Sequence, residues 1–199
     1  MIKFRIKKFL SIVAVFILIS LLFSIYSIAN AEMVTLDHSV WTTVIFVPYS
    51  GFSELSRQHF SYAAARWNSK LSWDPVICSL SSTHNLTNFT GGYGDGNDYV
   101  YRYNTGTNNY LMLTHYIYNP TTGELYEADI NVNTYYRWAN SGTGGRHDIW
   151  SAFIHEIGHV LGLGHQDDVP SVMASNLPKD TERRELYTYD INLVRKIYS

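Results

Sequence analysis

The sequence predicts an α+β domain, α/β-sandwich-like, in which short strands and two long helices share one core. Three observations carry that prediction. Five runs are rich in β-branched and aromatic residues and are bounded by Pro, Gly, Asn or Asp, the usual limits of strands. Two segments, near Glu54 and near Asp148, repeat apolar residues at helical spacing. The first 31 residues differ from all that follows in charge and hydropathy.

Lys3, Arg5, Lys7 and Lys8 precede twenty uncharged residues, Phe9 to Ile28, and then Ala29-Asn30-Ala31. A positive start, an apolar centre and an A-x-A site read as a secretory signal cleaved after Ala31. The apolar run is long enough to cross a hydrocarbon layer of about 30 Å, so an uncleaved anchor formed by residues 9–28 is the alternative. Either way the positive flank places the rest outside the cytoplasm, secreted or anchored there. Residues 32–199 then form one domain of 168 residues, enough for a proper core. They carry 17 acidic and 11 basic residues, a balance of −6, with no basic patch to recommend nucleic acid or a lipid surface as partner. Cys78 is the one cysteine, so no disulfide staples the domain, and it reads as a buried strand residue.

Trp41 to Val47 reads as a buried strand that stops at Pro48. Ser53 is the expected N-cap of a helix over Glu54 to Lys70, with Phe60, Ala63, Ala64, Trp67 and Leu71 on its core side. Val76 to Leu80 follows as a strand. Residues 81–98 are polar and glycine-rich, and Asp95, Asn97 and Asp98 offer oxygens to calcium or simply to solvent. Tyr99 to Tyr103 reads as a strand. Tyr110 to Tyr118 and Leu125 to Asn133 flank Asn119-Pro120-Thr121-Thr122-Gly123 and predict a hairpin. A loop over 134–145 leads to Asp148, the expected N-cap of a helix that buries Ile149, Phe153, Ile157, Val160 and Leu161. A last helix begins near Thr188, its expected N-cap, with Ile191, Val194 and Ile197 inward.

The second long helix carries the chemistry. His155 and His159 are four residues apart, so both rings leave one face, one turn apart. Two such rings can hold one zinc ion through a nitrogen each. Glu156 follows the first histidine and reaches a water beside the ion rather than the ion itself. Gly162 can end the helix at positive φ and let the chain fold back to offer His165 as a third ligand. Three protein ligands leave a fourth position open, the arrangement of a catalytic rather than a structural zinc.

The run His155 to His165, H-E-x-x-H-x-x-G-x-x-H, resembles the metzincin zinc-peptidase motif at every fixed position. Ser171-Val172-Met173 stands where a metzincin methionine turn is expected. Within that group the run D-I-W-S-A-F-I-H-E-I-G-H-V-L-G-L-G-H is most similar to the matrixin active-site helix, and Leu186 to Ile191 resembles the start of the matrixin last helix. The resemblance implies a zincin fold: a twisted mixed sheet of about five strands with an antiparallel edge strand, packed on two long helices. A small C-terminal subdomain with the methionine turn and last helix completes it. It further implies that Met173 forms an apolar floor under the histidines and that Asp190 hydrogen-bonds the turn from below. Leu111, Met112, Leu113 and Thr114 would then lie on the edge strand, where an extended protein or peptide substrate adds a strand. His115 stands where matrixins place a ligand of a second zinc, but its partners do not follow, so it reads as a strand histidine. Ser175 stands where astacins and serralysins carry a tyrosine. Ala174 to Pro178 departs from the usual matrixin continuation that lines the pocket after the cut.

These readings point to a secreted, monomeric zinc endopeptidase with one catalytic zinc. The alternatives from other classes are a catalytically weak module that binds peptides or cell wall, and a structural zinc protein. Glu156 beside three intact histidines disfavours the first, and the absence of a fourth ligand in the motif disfavours the second.

Overall fold

Five of the strand-like runs join into one sheet, and its outermost member is the strand that flanks the histidine helix. The computed structural model describes Leu36 and residues 39–87, 94–107 and 110–198; the expected signal, residues 1–31, lies outside them. In chain order the elements are β1 (Val44–Pro48), α1 (Glu54–Asn68), β2 (Val76–Cys78), β3 (Tyr99–Tyr103), β4 (Met112–Tyr118) and β5 (Leu125–Asn133). Then come β6 (Trp138–Ala139), β7 (His147–Asp148), α2 (Ile149–Val160) and α3 (Thr188–Tyr198). The sheet runs β2-β1-β3-β5-β4, parallel except for the antiparallel β4–β5 hairpin, so β4 is an edge. This is the mixed five-stranded sheet with an antiparallel edge that the resemblance implies. Among the described residues no helix is long and apolar enough to cross a membrane.

The alternation in β1 sets the layers. Val44 and Phe46 are buried while Ile45 is 52% exposed, so one face of the strand turns toward the helices. There Phe46 meets Phe153 of α2 edge-on at 6.2 Å, and Phe60 of α1 lies 4.3 Å from the same ring. Trp67 ties the two helices together by donating its indole N–H to Ile154 O at 2.9 Å. Ser53 caps α1 by accepting from Ser56 N.

Several boundaries move. β1 begins at Val44, not Trp41: pairing with β2 starts at Val76, and the Trp41 indole is 58% exposed. β2 stops at Cys78, after which Ser79 N bonds Phe46 O. The loop before α2 contains a two-residue parallel pairing of β6 with β7. In α3 Thr188 is already helical, and the start is fixed instead by Tyr187 N donating to Asp190 Oδ2 at 2.9 Å. Leu193, with Val194, faces the core, whereas Ile191 is only half-buried.

The second face of β5 is polar and buried, which alternation alone does not announce. Glu127 accepts from Gly94 N and Gly96 N, both at 2.6 Å, and Asp129 accepts from Tyr99 N at 2.9 Å. Asp98 accepts from Ala128 N at 2.9 Å and Ile45 N at 3.2 Å. Carboxylates thus satisfy the backbone of the 94–98 loop where it lies on the sheet.

Candidate metal centre

Asp148 starts α2. Its Oδ1 accepts from Ser151 N at 2.8 Å and from the Ser151 hydroxyl at 2.6 Å, while Arg184 grips the same carboxylate with two nitrogens. The helix ends in a Schellman turn. Gly162 N bonds His159 O and Leu163 N bonds Gly158 O, both at 2.9 Å, with Gly162 at φ 86°. A side chain at that φ is strained, so glycine is the residue that lets the chain reverse here. The reversal carries His165 back to the face that holds His155 and His159.

The three imidazoles converge. One ring nitrogen from each lies within 4.8 Å of the others, and His159 Nε2 sits 3.2 Å from His165 Nε2. His155 Nδ1 is 2.9 Å from Val172 O, and His159 Nδ1 is 2.8 Å from Leu163 O. A carbonyl only accepts, so both Nδ1 atoms carry the hydrogen and both Nε2 lone pairs are left for a ligand. Burial, then the charge of neighbouring His159, pushes His155 down to about 3. Burial also lowers His165. Imidazoles whose burial disfavours the charged form, as at His155 and His165, and whose Nδ1 is bound by backbone, as at His155 and His159, are the donor set that zinc takes.

Glu156, the residue after His155, is held from β4. The Thr114 hydroxyl on β4 donates to its Oε2 at 2.7 Å. Burial raises the carboxyl above its ordinary range, opposed by the His159 charge and by the bond from Thr114. A raised carboxyl, dry and fixed by one donor, has the character of a general base.

Met173 is fully buried, and Gln166 N bonds its carbonyl at 2.9 Å. A Cβ on Gly158 would collide with Met173 Sδ and stand 3.2 Å from Trp67 Cζ2, so only a glycine lets the helix and the methionine approach this closely. Asp190, also fully buried, accepts from the Ser171 hydroxyl, from Val172 N at 3.1 Å and from Tyr187 N at 2.9 Å. It therefore holds the segment whose Val172 carbonyl orients His155.

A cleft of ≈ 590 Å³ runs along this face. Leu111, Met112, Leu113 and Thr114 line it together with all three histidines and Glu156. Ser151, Leu177 and Arg183 also line it. The sequence reading did not single out Thr114 as a partner of Glu156, Gly158 as the seat of Met173, or Arg183. Only Gly158, a glycine inside a helical pattern, carried a signal. His115 stays on β4 opposite Asp129 in the β5 register, remote in sequence from the triad. The oxygens of Asp98 are bonded to backbone N–H groups, and Asp95 Oδ1 accepts from Asn97 N at 2.9 Å.

Comparison with known proteins agrees with this geometry. The Matrixin family model matches residues 53–199. The chain is 30% identical to Metalloendoproteinase 1 of Glycine max, over 70% of this chain and 45% of that protein. It is 26% identical to Metalloendoproteinase 2-MMP of Arabidopsis thaliana, over 78% of this chain and 40% of that one. With Karilysin of Tannerella forsythia it shares 28% identity, over 86% and 36%. The chain thus spans less than half the length of the curated relatives it matches.

Proposed function

We propose, from the premise that the chain belongs to the matrixin family, that it is a zinc-dependent endopeptidase acting on proteins or peptides outside the cytoplasm. The observation that carries the reading is the meeting of three convergent imidazoles with a buried carboxylate in the lining of one cleft. His155, His159 and His165 would hold one zinc ion. When bound, zinc supplies Lewis acidity, lowering the pKa of a nearby water and polarising a carbonyl.

The chain's own residues do the rest. Glu156 accepts the proton of the attacking water and returns it to the leaving amine, while Thr114 keeps the carboxylate aimed. Val172 O and Leu163 O keep the ligand nitrogens turned inward, and Met173 and Gly158 keep the floor apolar and rigid. β4, an edge with one side unpaired in the sheet order, takes an extended substrate as an added strand along residues 111–114. Cleavage of the signal after Ala31 would release residues 32–199 as a monomeric domain. A calcium ion at Asp95 and Asp98 is no part of this chemistry.

A casein or gelatin zymogram tests the proposal. Clearing is expected from the zinc-loaded protein and is abolished by a chelator or by Glu156→Ala. Clearing that survives Glu156→Ala would refute the assigned base.

A further inference from the structure

The cleft continues past His155 toward the start of α2, and its far end holds a cation that nothing in the proposed chemistry uses. Ser151 lies one helical turn before His155, so it marks that end. Its hydroxyl accepts from Arg183 N at 2.7 Å, which fixes the Arg183 backbone against the helix. The next residue is anchored on the opposite side. Arg184 binds Asp148, pairs with Glu182 at 3.1 Å, donates to Asn140 O at 2.9 Å and lies 4.8 Å over the Trp150 ring. With Arg184 tied down outside, Arg183 is the one of the pair that lines the cleft.

Its guanidinium makes no hydrogen bond or ion pair with any described residue. The neighbouring acids are already committed: Asp148 and Glu182 to Arg184, and Asp180 to Gly145 N. The cleft that it lines is also lined by apolar Ala152, Val172 and Leu177 and by polar Ser175 and Asn176. A guanidinium there has five donors in a fixed fork that matches a carboxylate. We propose that Arg183 is a specificity-determining residue, receiving the side-chain carboxylate of a substrate Asp or Glu seated beside His155 at the Ser151 end of the cleft. The inference rests on the peptidase reading and adds to it a class of substrate: chains cut next to an acidic residue.

The test uses zinc-loaded protein and a peptide series carrying Glu, Gln, Leu or Lys at each position flanking the cut, with cut sites read by mass spectrometry. At one fixed flanking position Glu is expected to exceed Gln in kcat/KM by about 10–100-fold, the range of a charge-assisted hydrogen bond. Arg183→Gln removes the difference, Arg183→Glu turns it toward Lys, and Arg183→Lys keeps part of it. An unchanged pattern in Arg183→Gln, or no acidic preference in the wild type, overturns the inference. Calorimetric binding of the same peptides to zinc-loaded Glu156→Ala protein separates it from the parent reading. A Glu-over-Gln ratio that follows Arg183 upholds the inference even if no peptide is cut. The lack of such a ratio sinks it even if casein clears.

Discussion

The Thr114 hydroxyl reaches from the sheet edge to Glu156 Oε2 at 2.7 Å, so the strand that would receive substrate also holds the carboxylate that would act on it. Thr114→Val should lower kcat by about 10–100-fold with zinc content unchanged, the size of one hydrogen bond to a charged group. Thr114→Ser should recover most of it. Steady-state kinetics beside metal analysis of the same samples decides the point; a change in KM alone would assign Thr114 to substrate binding instead.

Gly158→Ala should move Met173, because the added carbon has no room beside Sδ. A loss of about 1–3 kcal/mol, typical of overpacking a dense core, is expected in urea unfolding, together with weaker zinc retention in a chelator competition. Met173→Ala combined with Gly158→Ala should relieve the clash and give less than the sum of the two losses.

Asp190→Ala removes the acceptor of one hydroxyl and two backbone N–H groups. The expected cost is about 2–4 kcal/mol, since buried donors are left unsatisfied. Zinc affinity should fall about 10–100-fold, because the freed Val172 carbonyl no longer orients His155. Equal zinc affinity in the variant would separate Asp190 from the centre.

Asp129 gives a pH dependence remote from the histidines. Burial raises its carboxyl to about 7; Glu127, Asp98 and Asp95 add to the rise, the Tyr99 N–H opposes it, and His115 faces it across the hairpin. A carboxyl raised on folding favours the native state below its unfolded pKa of 3.8, and that contribution is lost as pH climbs to about 7. Asp129→Asn keeps an acceptor for Tyr99 N and removes the charge. It should raise the melting temperature at pH 8 by about 3–6 °C, on the order of 1–2 kcal/mol, and do little near pH 4. A melting temperature difference that does not vary with pH would contradict this.

The fold was legible where patterning is local and one-sided. Ser53 and Asp148 cap the helices expected of them, and Phe60, Trp67, Phe153 and Ile157 are core because their spacing matches the helix period. The hairpin was legible from its turn residues. The burial of the polar face of β5 was not, because a strand covered on both faces hides that side: Glu127 and Asp129 satisfy a loop that is near them only in the folded sheet. In the centre, spacing within one helix and one turn placed the histidines, since those contacts are 4 to 10 residues long. The partners of Glu156 and Ser151 come from 42 and 32 residues away, and no periodicity reports a contact of that range.

One carboxylate, Asp148, both launches the helix that bears the histidines and tethers the segment that presents Arg183. The substrate preference proposed for Arg183 would therefore be wired into the scaffold. A segment grafted from a relative must supply its own cation opposite Asp148, or strand a buried negative charge at about 3–5 kcal/mol. Evolution toward new cleavage habits would find it easier to vary Arg183 than Arg184, its neighbour by one bond and its opposite in freedom.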